Sequence, residues 1–117
     1  MTNYIYKICP ADLWADAEAA GVFRGAGIDL IDGYIHFSTA DQTAQTAHLH
    51  FNGVENLMLV TVSVAELDIT WEASRGGDLF PHLYGDLPLS AVTAVTPMPL
   101  DANGHHVFPD DTTPLNL

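Results

Sequence analysis

Four side chains of different chemistry crowd the stretch from Trp71 to Pro88. Glu72 offers a general base or hydrogen-bond acceptor, Arg75 an anion clamp, His82 a titrating donor and Tyr84 an aromatic hydroxyl. Trp71, Phe80 and Tyr84 add flat apolar surface on which a ring can stack. Three glycines and two prolines in the same stretch argue against one regular helix or one central strand. The expectation is a shaped loop that presents these groups from a rigid frame, and such loops carry function more often than packing. The structural alternative is a Glu72–Arg75 salt bridge that shapes the loop while Phe80 and Tyr84 fill the core. The residues leave both readings open, because a pocket requires the same packing.

A second stretch, Gly33 to Thr39, puts His36 at the end of a strand expected over Tyr34 to Phe37. Thr39-Ala40-Asp41-Gln42 fits a capping box, with Ser38 and Asp41 as the alternative register. The helix that follows is expected to run to about His50, with Ala44, Ala47 and Phe51 inward and Gly53 closing it. Free N–H groups at such a helix start can receive an anion. An ordinary capped helix beside a satisfied histidine accounts for the same residues. Other chemistries find less support. His48 and His50 point apart on a helix, His105 and His106 fall in the polar end, and neither His-Glu-x-x-His nor a cysteine pair occurs, so no metal is expected. No Gly-x-Ser-x-Gly elbow is present, and Cys9 has no base beside it in sequence. Ser38 or Ser74 could pair with His36 or His82 only in space.

The elements that must position these groups follow from pattern. Tyr4 to Ile8 is expected as a first strand, with Tyr4, Tyr6 and Ile8 on one face and Ile5 and Lys7 on the other. Pro10 starts a helix over Ala11 to Ala20, ended by Gly21, with Leu13, Trp14, Ala17 and Ala20 toward the core. Val22 to Gly33 has no clean period and is expected as a loop with a short extended piece at Ile28 to Ile31, Arg24 lying over Phe23. Asn56 to Val64 is apolar on both faces in its first half and should be a central strand. Further strands are expected at Thr70 to Glu72 and Leu89 to Thr96, stopped by Pro97 and Pro99. This order predicts an α+β domain with a mixed or mostly antiparallel sheet and two helices over residues 1–100. A polar tail over 101–117 should carry a turn at Asn103-Gly104 and one short pairing around Val107-Phe108.

Composition bounds the rest. A chain of 117 residues is one domain and can bury about 65% of its unfolded surface without staples. Fifteen acids stand against Lys7, Arg24 and Arg75, a net charge of −12. Nucleic-acid binding needs clustered cations, so no nucleic-acid partner is expected. No apolar run approaches the ~20 residues of a membrane span, so no membrane partner is expected either. With no signal-peptide pattern and a single cysteine, a cytoplasmic location is the simplest expectation.

Ile5-Tyr6-Lys7-Ile8, Asp32-Gly33-Tyr34-Ile35-His36-Phe37-Ser38-Thr39, Trp71-Glu72, and Leu79 through Pro88 with Ala91-Val92 resemble a small bacterial family, domain-of-unknown-function family 952. The resemblance covers about residues 4 to 97. At longer range that family is similar to the ADP-ribosyltransferase-like superfamily, which implies a small split sheet holding NAD in a cleft. The strand ending at Ser38 resembles the second histidine strand of the RNA 2′-phosphotransferases, which implies that His36 touches the nicotinamide riboside or a phosphate. Where those enzymes usually carry a histidine in the first strand, this chain has Lys7. Glu72 is the nearest match to the late-strand glutamate of transfer to protein.

Two expectations result. In the first, a small-molecule or nucleotide ligand such as NAD lies in a cleft, with His36, Ser38 and Thr39 on one wall and Arg75, His82 and Tyr84 on the other. His36, His82 and Glu72 are then the catalytic candidates; Lys7, Ser38, Thr39, Arg75 and Tyr84 are the cofactor-binding ones. In the second, the same fold is a non-catalytic module for a metabolite or a protein. The sequence leaves open whether the chain is an enzyme.

Overall fold

The computed structural model describes residues 3–73 and 77–108. Its frame is strand β4, Leu57–Ser63, flanked by β1 (Tyr4–Pro10) and β8 (Val92–Pro97), both antiparallel to it. Pairing of β1 with β4 runs unbroken from Tyr4↔Ser63 to Pro10↔Leu57. Alternation along β4 separates two cores. Val60 and Val62 face Ile5, Cys9, Trp14 and Phe23, whereas Leu57 and Leu59 face Tyr6, Ile8, Ala47 and Met98. The expected central strand and the two faces of β1 are thus present.

Helices cover the two faces. Helix α1, Ala11–Ala20, follows Pro10 and ends at Gly21, whose φ of 82° lets its N–H reach the Ala17 carbonyl at 2.9 Å. Only Trp14 and Ala17 of its expected inward set are buried; Leu13 and Ala20 are exposed, so the stripe is narrower than the spacing suggests. Helix α3, Ala40–His50, carries the expected Thr39–Gln42 capping box. Its buried residues are Thr43 and Ala47, and Ala44 faces out. Thr43 can be buried because its hydroxyl donates to the Ala40 carbonyl at 2.9 Å.

The strand expected over Leu89 to Thr96 begins only at Val92, after a 3-10 turn at Leu89–Ala91, and includes Pro97, and two larger expectations fail. First, Ile28–Asp32 is a short helix, α2, so the described chain has three α-helices where two were expected. Asp29 decides this. Its carboxylate is 2% exposed, accepts the Ala26 N–H at 3.0 Å, and turns inward, while Ile28, Leu30 and Ile31 point out. A side chain at Gly25 would approach the Asp29 Cβ to 2.8 Å, so only glycine fits there. Second, the chemistry-rich stretch is not mainly loop. Strands β5 (Ile69–Ala73) and β6 (Leu79–Leu83) pair antiparallel, and β6 is the middle strand between β5 and β3, Ile35–His36. Pro81 is tolerated in this middle strand because it faces Phe37, just past the end of β3. Its carbonyl still accepts the Phe37 N–H at 3.0 Å, and the N–H it lacks would point at the same residue.

A third, two-stranded sheet joins β2 (Val22–Phe23) to β7 (Leu87–Pro88). Arg24 pairs with Asp86 at 3.4 Å across this edge, an exposed contact of little energetic weight. The two larger sheets meet at one bridge, where Tyr6 and Ser38 exchange two backbone hydrogen bonds of 2.8 Å. Beyond β8 the chain turns at Asp101 to Gly104 and pairs back at Leu100↔His106, one residue before the expected place. No helix among the described residues is long and apolar enough to cross a membrane.

Candidate functional site

Register brings the site together. β3 and β6 set His36 opposite His82, with ring centroids 5.2 Å apart. β5 and β6 pair Thr70 with His82, so Glu72 lies diagonally across on the same face. Glu72 Oε1 accepts from His82 Nδ1 at 2.8 Å and from the Tyr84 hydroxyl at 2.8 Å. These two bonds, His82 first, hold the Glu72 carboxyl below the usual carboxylate range. The same contact keeps the proton on Tyr84, whose hydroxyl is pushed up to about 12. With Nδ1 donating to a carboxylate, His82 keeps Nε2 without a protein partner among the described residues. The ring is 4% exposed and lines a cavity.

His36 is held differently. Its Nδ1 lies 2.6 Å from Asp29 Oδ1 and its Nε2 lies 3.0 Å from Asp32 Oδ2. Both nitrogens can donate at once only in the imidazolium form. Asp29 is the hub beneath. It also takes the Lys7 ammonium at 2.7 and 3.0 Å and the His36 N–H at 3.1 Å. Burial pushes its carboxyl up, but the charge and hydrogen bond of Lys7, with help from Ala26 and His36, outweigh this and hold it below the ordinary range. Lys7 Nζ spends a further bond on the His36 carbonyl at 3.0 Å. Of the two cations that sequence placed in the site, Lys7 is therefore already neutralised.

The Tyr34 ring ties the two halves together. Its centroid lies 4.5 Å from His36, 4.4 Å from His82 and 4.9 Å from Tyr84. Burial, then the charges of Asp32 and Glu72, push its hydroxyl up. Beside this wall opens a cavity of about 540 Å³, within the size range of small-molecule sites. It follows the seam between the two larger sheets. Tyr6, Lys7 and Ile8 come from β1, Ile28 and Asp32 from α2, Tyr34 and His36 to Ser38 from the β3 segment, Thr46, His50 and Phe51 from the α3 side, and Phe80 and His82 from β6.

Of the residues picked from sequence, Lys7, His36, Ser38 and His82 line this cavity. Ser38 is buried and its hydroxyl lies 3.0 Å from that of Thr46. Glu72 and Tyr84 stand behind His82 rather than on the lining. Thr39 spends its N–H on Gln42 Oε1 at 3.0 Å, so the helix start is closed by its own cap. Arg75 and Ser74 lie outside the described residues. Cys9 is buried against the first core, and burial above all pushes its thiol up to about 11, far from a reactive thiolate. Asp29, Asp32 and Tyr34 were missed. The signal available was two acids three apart inside an aliphatic run flanked by glycines, a pattern that suits a turn with its carboxylates gathered.

Residues 8–95 match the family described as protein of unknown function (DUF952). The crystal structure of protein CC0527 from Caulobacter crescentus is 43% identical, over 93% of this chain and 97% of that one, with a TM-score of 0.87. The solution NMR structure of CC0527 gives 46% identity over 87% of this chain and 90% of that one, with a TM-score of 0.79. Nothing among the curated proteins matches.

Proposed function

The chain belongs to the DUF952 family, and we propose that its cavity takes a nucleotide of the NAD class, nicotinamide riboside end first. The observation that carries this reading is the pair of imidazoles on one wall of the cavity, each with a carboxylate on its Nδ1. A flat heterocycle fits beside the Tyr34, His36 and His82 rings. Glu72 fixes the His82 tautomer and leaves Nε2 to bond a ribose hydroxyl or to take a proton. Tyr34, rather than Tyr84, supplies the ring on the lining.

In the catalytic form of this reading, the bond from ribose to nicotinamide breaks and a bond to an acceptor oxygen forms. The acceptor's proton goes to His82 Nε2. His36, pinned between Asp29 and Asp32, orients the ribose, and Arg75 is the candidate clamp for the pyrophosphate.

A second reading, a non-catalytic metabolite module, is favoured by one observation. Lys7, the fixed cation on the lining, is already paired with Asp29. Proton–nitrogen NMR titration with NAD, ADP-ribose and nicotinamide separates the two, followed by an assay for released nicotinamide. Saturable shifts at His36 and His82 with turnover support the enzyme, and shifts without turnover support the module. If all three ligands leave both histidines unmoved at millimolar concentration, the nucleotide reading is lost.

A further inference from the structure

We infer that the cavity selects a ligand ring bearing a fixed positive charge, an N-substituted cationic heteroaromatic of the pyridinium type. The inference rests on the reading of the cavity given above and specifies the charge of what it holds.

Three observations carry it. The lining is aromatic on several sides, with Tyr6, Tyr34, Phe37, Phe51 and Phe80 around one space. Ring faces are electron-rich and attract cations, most strongly where water is excluded. The charges point the same way. Asp32 is on the lining, and Asp29 and Glu72 stand directly behind His36 and His82. Of the two permanent cations among the described residues, Lys7 alone is on this lining and is consumed by Asp29, while Arg24 lies off it and pairs with Asp86. Among the described groups Asp29, Asp32, Glu72, Lys7 and His36, the sum is −1 even with His36 as an imidazolium, inside a molecule of net charge −12. The third observation is the Nε2 of the nearly buried His82 ring, which has no hydrogen-bond partner among the described residues. With Nδ1 donating to Glu72, a neutral His82 offers Nε2 as an acceptor, which suits the amide N–H₂ or a hydroxyl of such a ligand. An anionic ring would meet Asp32 with no free cation on the described lining to compensate.

Three nearly isosteric probes test this on the full chain: 1-methylnicotinamide (cationic), nicotinamide (neutral) and nicotinate (anionic), each titrated by calorimetry and by NMR, alongside NAD itself. The expected order is cation, then neutral, then anion, with about a tenfold gap between the first two. Asp32→Asn, on a side chain one-third exposed, should narrow that gap by weakening the cationic probe more than the neutral one. Nicotinamide binding as tightly as its methylated cation would overturn the charge selection, and with NAD still bound the nucleotide reading would survive. Cation selection without NAD binding keeps this inference and removes the nucleotide. Silence of Tyr34, His36 and His82 with every probe removes both.

Discussion

The β1–β4–β8 sheet and the β3–β6–β5 sheet share antiparallel pairing and a buried middle strand, but they spend their side chains in opposite ways. In the first, β4 sends Leu57 and Leu59 to one core and Val60 and Val62 to the other. Each such burial contributes about 1.5–3 kcal/mol. In the second, the middle strand carries His82 and Pro81, and its neighbours carry His36 and Glu72. Glu72 there bonds His82 and Tyr84, and His36 bonds Asp29 and Asp32, which keeps these groups in place but adds little net stability. The first sheet can therefore be read as the frame and the second as a polar instrument mounted on it. The mount is Lys7: it belongs to the frame strand β1, and it reaches across to Asp29 and the His36 carbonyl.

The sharpest way to break that division is to cut the mount. Asp29→Ala leaves the Lys7 ammonium buried without its partner and should lower unfolding free energy by about 3–5 kcal/mol in urea denaturation. Replacing both partners, Lys7→Met with Asp29→Leu, should recover much of this. A loss below about 1 kcal/mol for Asp29→Ala would mean that the frame and the polar sheet are not coupled through it. The sign with pH follows. Asp29 titrates below its ordinary range when folded, so its stabilisation is present above that range and fades as pH falls through the lowered value. The Ala variant should lack this part of the acid limb.

Next comes the contrast within the sheets. Leu59→Ala in the frame should cost about 2–5 kcal/mol, whereas Leu79→Ala at the exposed start of β6 should stay within about 0.5 kcal/mol. Equal losses would erase the distinction. The smallest effect on stability, and the most local, belongs to Glu72→Gln. Without that carboxylate the Tyr84 hydroxyl should fall from about 12 toward the ordinary tyrosine value, read as tyrosinate absorbance against pH. An unchanged titration would show that Glu72 does not hold the Tyr84 proton.

The same contrast explains what the sequence discloses. The frame was legible because its signals are local: an apolar run at Leu57 to Val62, Pro10 and Gly21 around α1, and the Thr39–Gln42 box before α3. Finer placement slipped where chemistry is ambiguous. Of Thr43 and Ala44, Ala44 is the more apolar, and the hydroxyl bond to Ala40 shows how the threonine can go inside instead. Helix α2 was hidden because its acid is buried and its aliphatics are not, the reverse of the usual rule. β6 was hidden by Pro81, whose tolerance depends on where β3 stops. At the site, His36, His82 and Glu72 could be picked as reactive types. Their meeting depends on pairing between strands far apart in sequence, and the parts of Asp29, Asp32 and Tyr34 depend on how α2 folds.

The single bridge between Tyr6 and Ser38 has a consequence of its own. Among the described residues, widening the crevice beside it breaks these two backbone bonds together with the Lys7 contacts to Asp29 and the His36 carbonyl, while the seven paired positions of β1 and β4 stay closed. Those two amides should then trade deuterium faster than the neighbouring amides of β1 that bond within the frame, through a sub-global opening rather than whole-chain unfolding. A guest lodged in the crevice would slow the exchange of this pair first, so two peptide protons serve as a built-in occupancy gauge.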